Sequence, residues 1–153
     1  MEIERKFLVA ERPSDLEGWP STAIEQGYLT VDQEGPEVRV RRRGDQAYLT
    51  VKAGRGRVRV EEEIEIDADR FERLWPLTEG RRIEKTRYEI DAGDGLVIEL
   101  DVYIGALDGL VTAEVEFDSE EAADAFEPPG WLGEDVTEDL RYKNQRLARE
   151  GPP

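Results

Sequence analysis

Charged side chains recur at every second residue in several segments of the chain, and they are sorted by sign. Arg39, Arg41 and Arg43 form one row, and Glu114 and Glu116 form another. Like charges two residues apart on one strand face repel each other, so a solvated face would normally intersperse the two signs. Guanidinium groups bind phosphate oxygens, and carboxylates hold the Mg²⁺ or Mn²⁺ ions that bridge to the same oxygens. The sorted rows therefore point to chemistry on a metal-complexed polyphosphate.

The lysines are few and follow the same pattern. The chain has only four, and each falls on the charged face of a predicted strand or on the inward stripe of the last predicted helix: Lys6, Lys52, Lys85 and Lys143. Elsewhere the chain uses arginine for its positive charges. We therefore expect the lysines to lie inside a ligand site, where their ammonium groups meet phosphate.

The residue types that the chain lacks exclude several kinds of site. Among its 153 residues there is no histidine and no cysteine. This excludes serine–histidine–aspartate triads, histidine-ligated metals, disulfides, zinc fingers, thiol nucleophiles and iron–sulfur clusters. Any metal must sit on oxygen ligands.

The net charge of −16 argues against a general surface for nucleic acid or anionic membranes. No apolar stretch approaches the ~18 residues that cross a bilayer. The charged start of the chain also lacks the apolar run of a signal peptide. We expect a cytoplasmic protein, monomer or homodimer, that binds a small triphosphate or polyphosphate and neither nucleic acid nor a membrane.

Eight segments show the period-two alternation that is typical of strands, and most are joined by turns that carry Gly or Asp. They are residues 2–9, 24–31, 37–43, 47–52, 57–66, 83–90, 97–103 and 111–117. Three helices are predicted as well: one after Asp67 or Asp69 with Phe71, Leu74 and Trp75 on one face, one at 120–126 capped by Asp118 or Ser119, and one at 138–149 capped by Thr137. The last helix places Leu140, Lys143 and Leu147 on its inward stripe.

These elements predict an α+β protein with a single domain over 1–153. Short connections favour an antiparallel meander, and about eight strands can close around a small ligand. We expect an eight-stranded antiparallel closed β-barrel with a charged lumen, covered outside by helices. The side chains expected inside are the basic Lys6, Arg39, Arg41, Arg43, Lys52, Arg57, Arg59, Lys85, Arg87 and Lys143, and the acidic Glu2, Glu4, Glu61, Glu63, Glu65, Glu99, Asp101, Glu114 and Glu116.

Short charged motifs also follow one another in a recognisable order. They are Glu2-Ile3-Glu4-Arg5-Lys6, Arg39-Val40-Arg41, Leu49-Thr50-Val51-Lys52, Arg59-Val60-Glu61-Glu62-Glu63, Lys85-Thr86-Arg87-Tyr88, Glu99-Leu100-Asp101-Val102-Tyr103, Glu114-Val115-Glu116-Phe117 and Arg141-Tyr142-Lys143-Asn144. Over essentially residues 1–148 they resemble the CYTH superfamily, the triphosphate tunnel metalloenzymes, and within it the bacterial inorganic triphosphatases. The resemblance implies an eight-stranded antiparallel tunnel with a C-terminal plug helix.

The resemblance also implies roles for the matching positions. Divalent Mg²⁺ or Mn²⁺ would be held by Glu2, Glu4, Glu114 and Glu116, with Glu61 and Glu63 available for a second ion. The triphosphate would be bound by Lys6, Arg39, Arg41, Lys52, Arg59 and Arg87, with Lys143 closing over it. Lys85 is the candidate catalytic residue, because a partly desolvated lysine among other cations has a lowered pKa and can act as a base. The alternative is that Lys85 only binds phosphate.

The expected activity is metal-dependent hydrolysis of tripolyphosphate to pyrophosphate and phosphate. The alternative enzymes are an adenylate cyclase and a thiamine or nucleoside triphosphatase, which need a place for the organic group. The first motif begins at residue 2, which leaves no preceding segment to add such contacts and favours the inorganic substrate. A non-enzymatic polyphosphate-binding module is a further alternative. It is disfavoured because a pure anion binder would gain affinity by losing its rows of glutamate.

Overall fold

The computed structural model describes residues 2–31, 34–55 and 57–153. Within these ranges the strands are β1 Glu2–Leu8, β2 Ser21–Tyr28, β3 Glu37–Arg43, β4 Gln46–Arg55, β5 Val58–Ile66, β6 Arg82–Gly93, β7 Leu96–Ile104 and β8 Val111–Phe117. The α-helices in the same ranges are α1 Ala68–Leu74, α2 Glu120–Ala125 and α3 Asn144–Glu150. No helix in this part of the chain combines the length and the apolar character needed to cross a membrane.

The strands close into one antiparallel barrel in the order β1-β5-β4-β3-β2-β6-β7-β8. The predicted eight-stranded closed barrel is therefore confirmed. The predicted meander holds within β2 to β5 and within β6 to β8, but not across the whole sheet. Strand β1 is inserted between β5 and β8, and β2 pairs with β6. The connection from β5 to β6 carries α1 over the outside of β3 and β4.

The joint between β1 and β5 is the shortest in the barrel. Glu2 pairs with Arg59 and Ile3 pairs with Val58, whereas β1 and β8 pair over six residues. Beyond this short pairing, residues 60–66 of β5 pair with β4 on one side, and no described strand pairs with them on the other. None of the β5 side chains is fully buried. This part of the barrel wall is consequently open to solvent.

Two helices cover apolar side chains on the outer face of the barrel, as predicted. Helix α2 lies over β1 and β8, where Ala123 and Phe7 belong to one buried cluster. Helix α1 lies over β3 and β4 with Phe71 as its buried residue. The side chain of Asp67 caps α1 and that of Ser119 caps α2, each by accepting a backbone N–H.

The C-terminal helix is shorter than predicted. It spans Asn144–Glu150 rather than 138–149. Asp139 Oδ1 accepts hydrogen bonds from the backbone N and from Nε of Arg141, each at 3.0 Å. These bonds stabilise a 3₁₀ turn in place of the first turns of an α-helix. Lys143 follows in an extended conformation, so the predicted helical stripe through it is wrong.

Helix α3 nevertheless lies at the end of the barrel, in the position predicted for a plug. Leu147 packs in one buried cluster with Tyr28, Ile83 and Tyr103. Strand alternation places these three residues on the inward faces of β2, β6 and β7. Thr137, predicted as a helix cap, instead accepts a backbone hydrogen bond from β1.

Gly27 in β2 lies where the barrel approaches the turn after α1 most closely. A Cβ at this position would clash with Oγ1 of Thr78 and lie 2.5 Å from its Cβ, and Thr78 is fully buried. Gly27→Ala should therefore lower the free energy of unfolding by about 1–3 kcal/mol, because the overpacked contact forces the backbone to shift. Urea denaturation followed by circular dichroism measures this change.

Gly18→Ala is the matched control, because nothing lies within 4 Å of a Cβ at that position. Its free energy of unfolding should change by less than about 0.5 kcal/mol. Equal denaturation midpoints for Gly27→Ala and the wild type would contradict the close packing of β2 against Thr78.

Candidate active site

An internal cavity of about 180 Å³ occupies the barrel, and charged side chains form most of its lining. All strands except β2 contribute to this lining within the described residues, and the segment from Val136 to Asn144 bounds one end. On the strands that contribute more than one side chain to the cavity, those side chains are two residues apart. The period-two charge rows of the sequence are thus explained by strand alternation in a barrel whose polar face is enclosed.

The cavity brings together every predicted metal ligand and every predicted phosphate ligand. The glutamates are Glu2, Glu4, Glu61, Glu63, Glu114 and Glu116. The cations are Lys6, Arg39, Arg41, Lys52, Arg59, Arg87 and Lys143. The candidate base, Lys85, is fully buried in the wall beside the cavity and does not belong to its lining.

Two residues expected in the lumen lie elsewhere, and the lining includes a charged strand residue that was not expected there. Arg57 precedes β5 and forms an ion pair with Asp124 of α2 on the outside. Glu65 is exposed near the C-terminal end of β5. Glu37 is buried in the lining and lies 3.6 Å from Arg39. Its position two residues before Arg39 was the signal in the sequence that could have identified it.

Carboxylates face one another across neighbouring strands on one side of the cavity. Glu4 on β1 lies opposite Glu116 on β8, and Glu99 on β7 lies opposite Glu114. Like charges at such positions destabilise a sheet. Burial, followed by the charge of Glu114, raises the pKa of Glu4 to about 8, although Lys52 lies 3.9 Å away. A cation between these strands would relieve the repulsion.

The donors on this side of the cavity fit a hard divalent cation, since they are carboxylate oxygens. Glu2 Oε1 is buried, and Lys52 Nζ lies 2.9 Å from it, but none of the described residues gives it a well-aligned hydrogen bond. In the described chain no three acidic groups stand close enough to enclose an ion. Ammonium groups lie among them, such as Lys6 at 3.7 Å from Glu114. An ion would have to take the place of these ammonium groups.

Guanidinium groups are packed closely on the opposite side of the cavity. Arg41 Nε donates to the neutral amide oxygen of Gln26 at 2.9 Å. Burial, together with the charges of Arg39 and Arg87, lowers the pKa of Arg41 to about 9. Nε of Arg39 is buried and finds no acceptor among the described residues. An anion with several oxygens would stabilise this surface.

Lys85, Arg87 and Asp101 form a buried ion cluster between β6 and β7. Asp101 accepts hydrogen bonds from Lys85 Nζ at 2.8 Å and from Arg87 at 2.8 Å and 2.9 Å. Burial acts to raise the pKa of Asp101, but Arg87 and Lys85 outweigh it and lower that pKa to about 2. Burial lowers the pKa of Lys85 to about 7, an effect that Asp101 opposes and Arg87 strengthens. The sequence predicted Asp101 in the lumen but gave it no role. In the structure Asp101 orients Arg87, a cation of the cavity lining.

The fold and the site together define a tunnel protein, in which a closed antiparallel barrel encloses a row of carboxylates beside rows of arginine and lysine. A family model described as the CYTH domain matches residues 1–150. The chain belongs to this family, and the resemblance inferred from its motifs is confirmed.

Individual relatives resemble the chain over nearly its whole length. It is 53% identical to the inorganic triphosphatase of Nitrosomonas europaea over 152 residues, which cover 99% of each chain. It is 39% identical to the inorganic triphosphatase of Acetivibrio thermocellus, with 97% of this chain and 93% of the relative covered. The crystal structure of the inorganic triphosphatase NE1496 superposes with a TM-score of 0.75 at 50% identity, covering 100% of this chain and 97% of that one.

Asp101→Asn should lower the free energy of unfolding by about 3–5 kcal/mol at pH 7, because the buried Lys85 loses its carboxylate and Arg87 keeps only the partly exposed Glu99. The pKa of Asp101 is depressed from 3.8 to about 2 in the folded protein. Its stabilising effect is therefore fully present above pH 3.8 and is lost as the pH falls toward 2. Urea denaturation at several pH values should show that the difference in free energy of unfolding between the wild type and Asp101→Asn becomes smaller below about pH 4.

Glu150→Gln is the control for this measurement. It removes an exposed ion pair with Arg146 and should change the free energy of unfolding by less than about 1 kcal/mol. If Asp101→Asn were as stable as the wild type at pH 7, the buried cluster would not hold this part of the wall together.

Proposed function

We propose that this protein is a divalent-metal-dependent inorganic triphosphatase, which hydrolyses tripolyphosphate to pyrophosphate and phosphate. One observation carries the proposal. A single cavity of about 180 Å³ combines closely packed guanidinium groups with carboxylates that face each other. A metal triphosphate complex supplies the anion for the first set and the cation for the second. The relatives that are inorganic triphosphatases, at 53% and 39% identity, support this substrate.

We assign binding of the triphosphate to the cations of the lining. Arginine binds phosphate through paired N–H groups and lysine acts as a point charge. The hydrogen-bond partner of Arg41 is the neutral amide of Gln26, which does not offset the positive charge of the guanidinium group. That charge is therefore available to a phosphate oxygen. The assigned residues are Lys6, Arg39, Arg41, Lys52, Arg59, Arg87 and Lys143.

Membership of the family brings with it dependence on a divalent metal ion. We propose Mg²⁺ or Mn²⁺, because the available donors are carboxylates. When bound, such an ion supplies positive charge that neutralises the phosphate oxygens. The glutamates that would hold it are Glu2, Glu4, Glu114 and Glu116, with Glu61 and Glu63 for a second ion.

The chemical step that we propose is in-line attack of water on a terminal phosphorus atom. The new P–O bond forms as the bond to the bridging oxygen breaks, and pyrophosphate leaves. Arg41 and Arg87 stabilise the charge that develops on the leaving oxygen. Lys85 Nζ takes the proton from the attacking water. A pKa of about 7 suits this role, which requires Nζ to turn from Asp101 toward the cavity.

A binding protein without enzymatic activity would not need the facing glutamates. Burying them without a cation costs stability, so their presence favours an enzyme. A cytoplasmic location, a single domain over 1–153 and a monomeric or homodimeric state stay predictions from the sequence.

Phosphate release should be faster from tripolyphosphate than from ATP or thiamine triphosphate when the substrates are compared side by side with Mg²⁺, Mn²⁺ and Ca²⁺. Glu4→Gln should reduce metal-dependent release from tripolyphosphate by at least about 100-fold, because it removes a carboxylate from the proposed metal site.

Glu62→Gln is the matched control for Glu4→Gln, since Glu62 lies on β5 but is exposed and outside the cavity lining. It should leave turnover unchanged. Full activity of Glu4→Gln would contradict the assignment of Glu4 as a metal ligand. Conversion of ATP to cyclic AMP, or a clear preference for an organic triphosphate, would overturn the proposed substrate.

Lys85→Arg separates a base from a phosphate ligand, because arginine keeps the positive charge but does not accept a proton. If Lys85 is the base, Lys85→Arg and Lys85→Ala should both lower kcat by about 10²–10⁴-fold with little change in KM. The kcat/KM of the wild type should then rise as the pH passes through about 7, because the base must be neutral. An active Lys85→Arg enzyme, with a raised KM in Lys85→Ala, would instead make Lys85 a phosphate ligand.

A further inference from the structure

Arg41 differs from the other arginines of the cavity lining in the kind of partner that it has. The other buried or half-buried arginines each lie within ion-pair distance of a carboxylate: Arg39 at 3.3 Å from Glu61, Arg59 at 3.6 Å from Glu4 and Arg87 at 2.8 Å from Asp101. In the part of the chain that the structure describes, Arg41 forms no such pair, and its hydrogen-bond partner is the amide oxygen of Gln26 at 2.9 Å. This difference calls for a reason, because proteins normally pair the charges that they bury.

Gln26 is placed to act on Arg41 but not on a ligand. It lies on β2, directly opposite Arg41 of β3 in the register of the sheet. Its side chain is fully buried and does not belong to the lining of the cavity. A ligand in the cavity therefore meets Arg41 and not Gln26, so any effect of Gln26 on that ligand passes through the arginine.

The orientation of the Gln26 amide follows from the groups around it. Arginine can only donate hydrogen bonds, so the oxygen of the amide must face Nε of Arg41. The nitrogen Nε2 then faces the hydroxyl of Tyr28, to which it donates at 2.6 Å. Tyr28 is itself fully buried in a cluster with Ile83 and Tyr103, which gives the amide a fixed support. Both ends of the amide are thus held in place.

The bond to Gln26 also determines which donors of Arg41 are left for a ligand. A guanidinium group carries N–H groups on Nε and on its two terminal nitrogens. Because Nε donates to Gln26, the two terminal nitrogens of Arg41 remain, and such a pair can bind two oxygens of one phosphate group. Arg41 belongs to the cavity lining, so this oriented pair of nitrogens is the part of the residue that a phosphate chain can use.

An amide at position 26 has a different effect from a carboxylate of the same size. Glutamate would also offer Arg41 an oxygen, and the hydroxyl of Tyr28 could donate to it, since a phenol both donates and accepts. Its negative charge would, however, pair with the guanidinium group and compete with phosphate. The amide of Gln26 orients Arg41 equally well and leaves its charge uncompensated. Burial, together with the charges of Arg39 and Arg87, already disfavours that charge and lowers the pKa of Arg41, so an incoming anion stabilises it.

We infer that Gln26 is a positioning residue for the triphosphate, which orients the guanidinium group of Arg41 without neutralising it. The inference rests on the triphosphate binding of the proposed function, and it gives a role in that binding to a residue outside the cavity. Stability and binding then favour different side chains at position 26. A carboxylate there would stabilise the empty barrel, whereas the amide favours the barrel with an anion bound.

The test measures the Kd of tripolyphosphate by titration calorimetry without divalent metal, and the stability of each protein by urea denaturation. Both are done at about pH 8, where a glutamate is ionised. Gln26→Glu should raise the Kd at least about tenfold, while its urea midpoint equals or exceeds that of the wild type. Gln26→Met keeps the length of the side chain but removes the acceptor oxygen. Its Kd should lie between the other two, and its urea midpoint should be the lowest. If Gln26 only supported the fold, the Kd would instead rise as the midpoint falls.

Gln46→Glu is the matched control, because it adds the same charge at an exposed position outside the cavity lining. Its Kd should stay within about twofold of the wild type, since solvent screens an exposed charge. A wild-type Kd in Gln26→Glu would overturn the inference, and so would equal increases in Gln26→Glu and Gln46→Glu.

If Gln26→Glu does not fold, Gln26→Met decides the question at a temperature where it is fully folded. A raised Kd then supports the positioning role of Gln26, and an unchanged Kd overturns it. Wild-type protein that binds tripolyphosphate but does not hydrolyse it would remove the proposed function and leave this inference intact. Wild-type protein that neither binds nor hydrolyses tripolyphosphate would overturn both.

Discussion

Ionised side chains inside a barrel must be compensated, because an unpaired buried charge costs several kcal/mol. In this protein some of the charges on the inward strand faces are only partly compensated. Arg41 finds the neutral Gln26 as its partner, while Glu4 lies directly opposite Glu116. The barrel can tolerate these groups because the closed sheet and its helices hold the backbone in place from outside. An anion beside Arg41 and a cation beside Glu4 would complete the compensation of these charges.

Lys6 contacts both the carboxylates of the cavity and the C-terminal segment of residues 136–144. It lies on β1 between the carboxylate side of the cavity and the end of the barrel, 3.7 Å from Glu114. Its ammonium group holds the carbonyl of Tyr142, and its backbone holds Thr137. A single strand therefore carries candidate metal ligands, a candidate phosphate ligand and the anchor of the C-terminal segment. The lining of the cavity and the anchoring of that segment therefore share this residue.

The barrel and its lining could be predicted because one physical rule determines both. Every described strand except β2 has one face in the charged lumen, so the alternation that reveals the strand also identifies residues such as Glu114. The C-terminal segment could not be read in this way. The turn at Asp139 and the extended Lys143 are stabilised by local and tertiary bonds that override helical periodicity. The burial of Lys85 depends on the register that sets Arg87 opposite Asp101, and a single sequence does not reveal strand register.

The short pairing between β1 and β5 leaves part of the cavity lining exposed. Beyond Val60, β5 has β4 as its strand neighbour within the described residues, and Glu63 is exposed on the side of the cavity. The carboxylate of Glu63 therefore lies in contact with both the cavity and the solvent. Dissolved salt screens such an exposed charge more strongly than it screens the buried charges of the lining, such as Arg39 and Arg41.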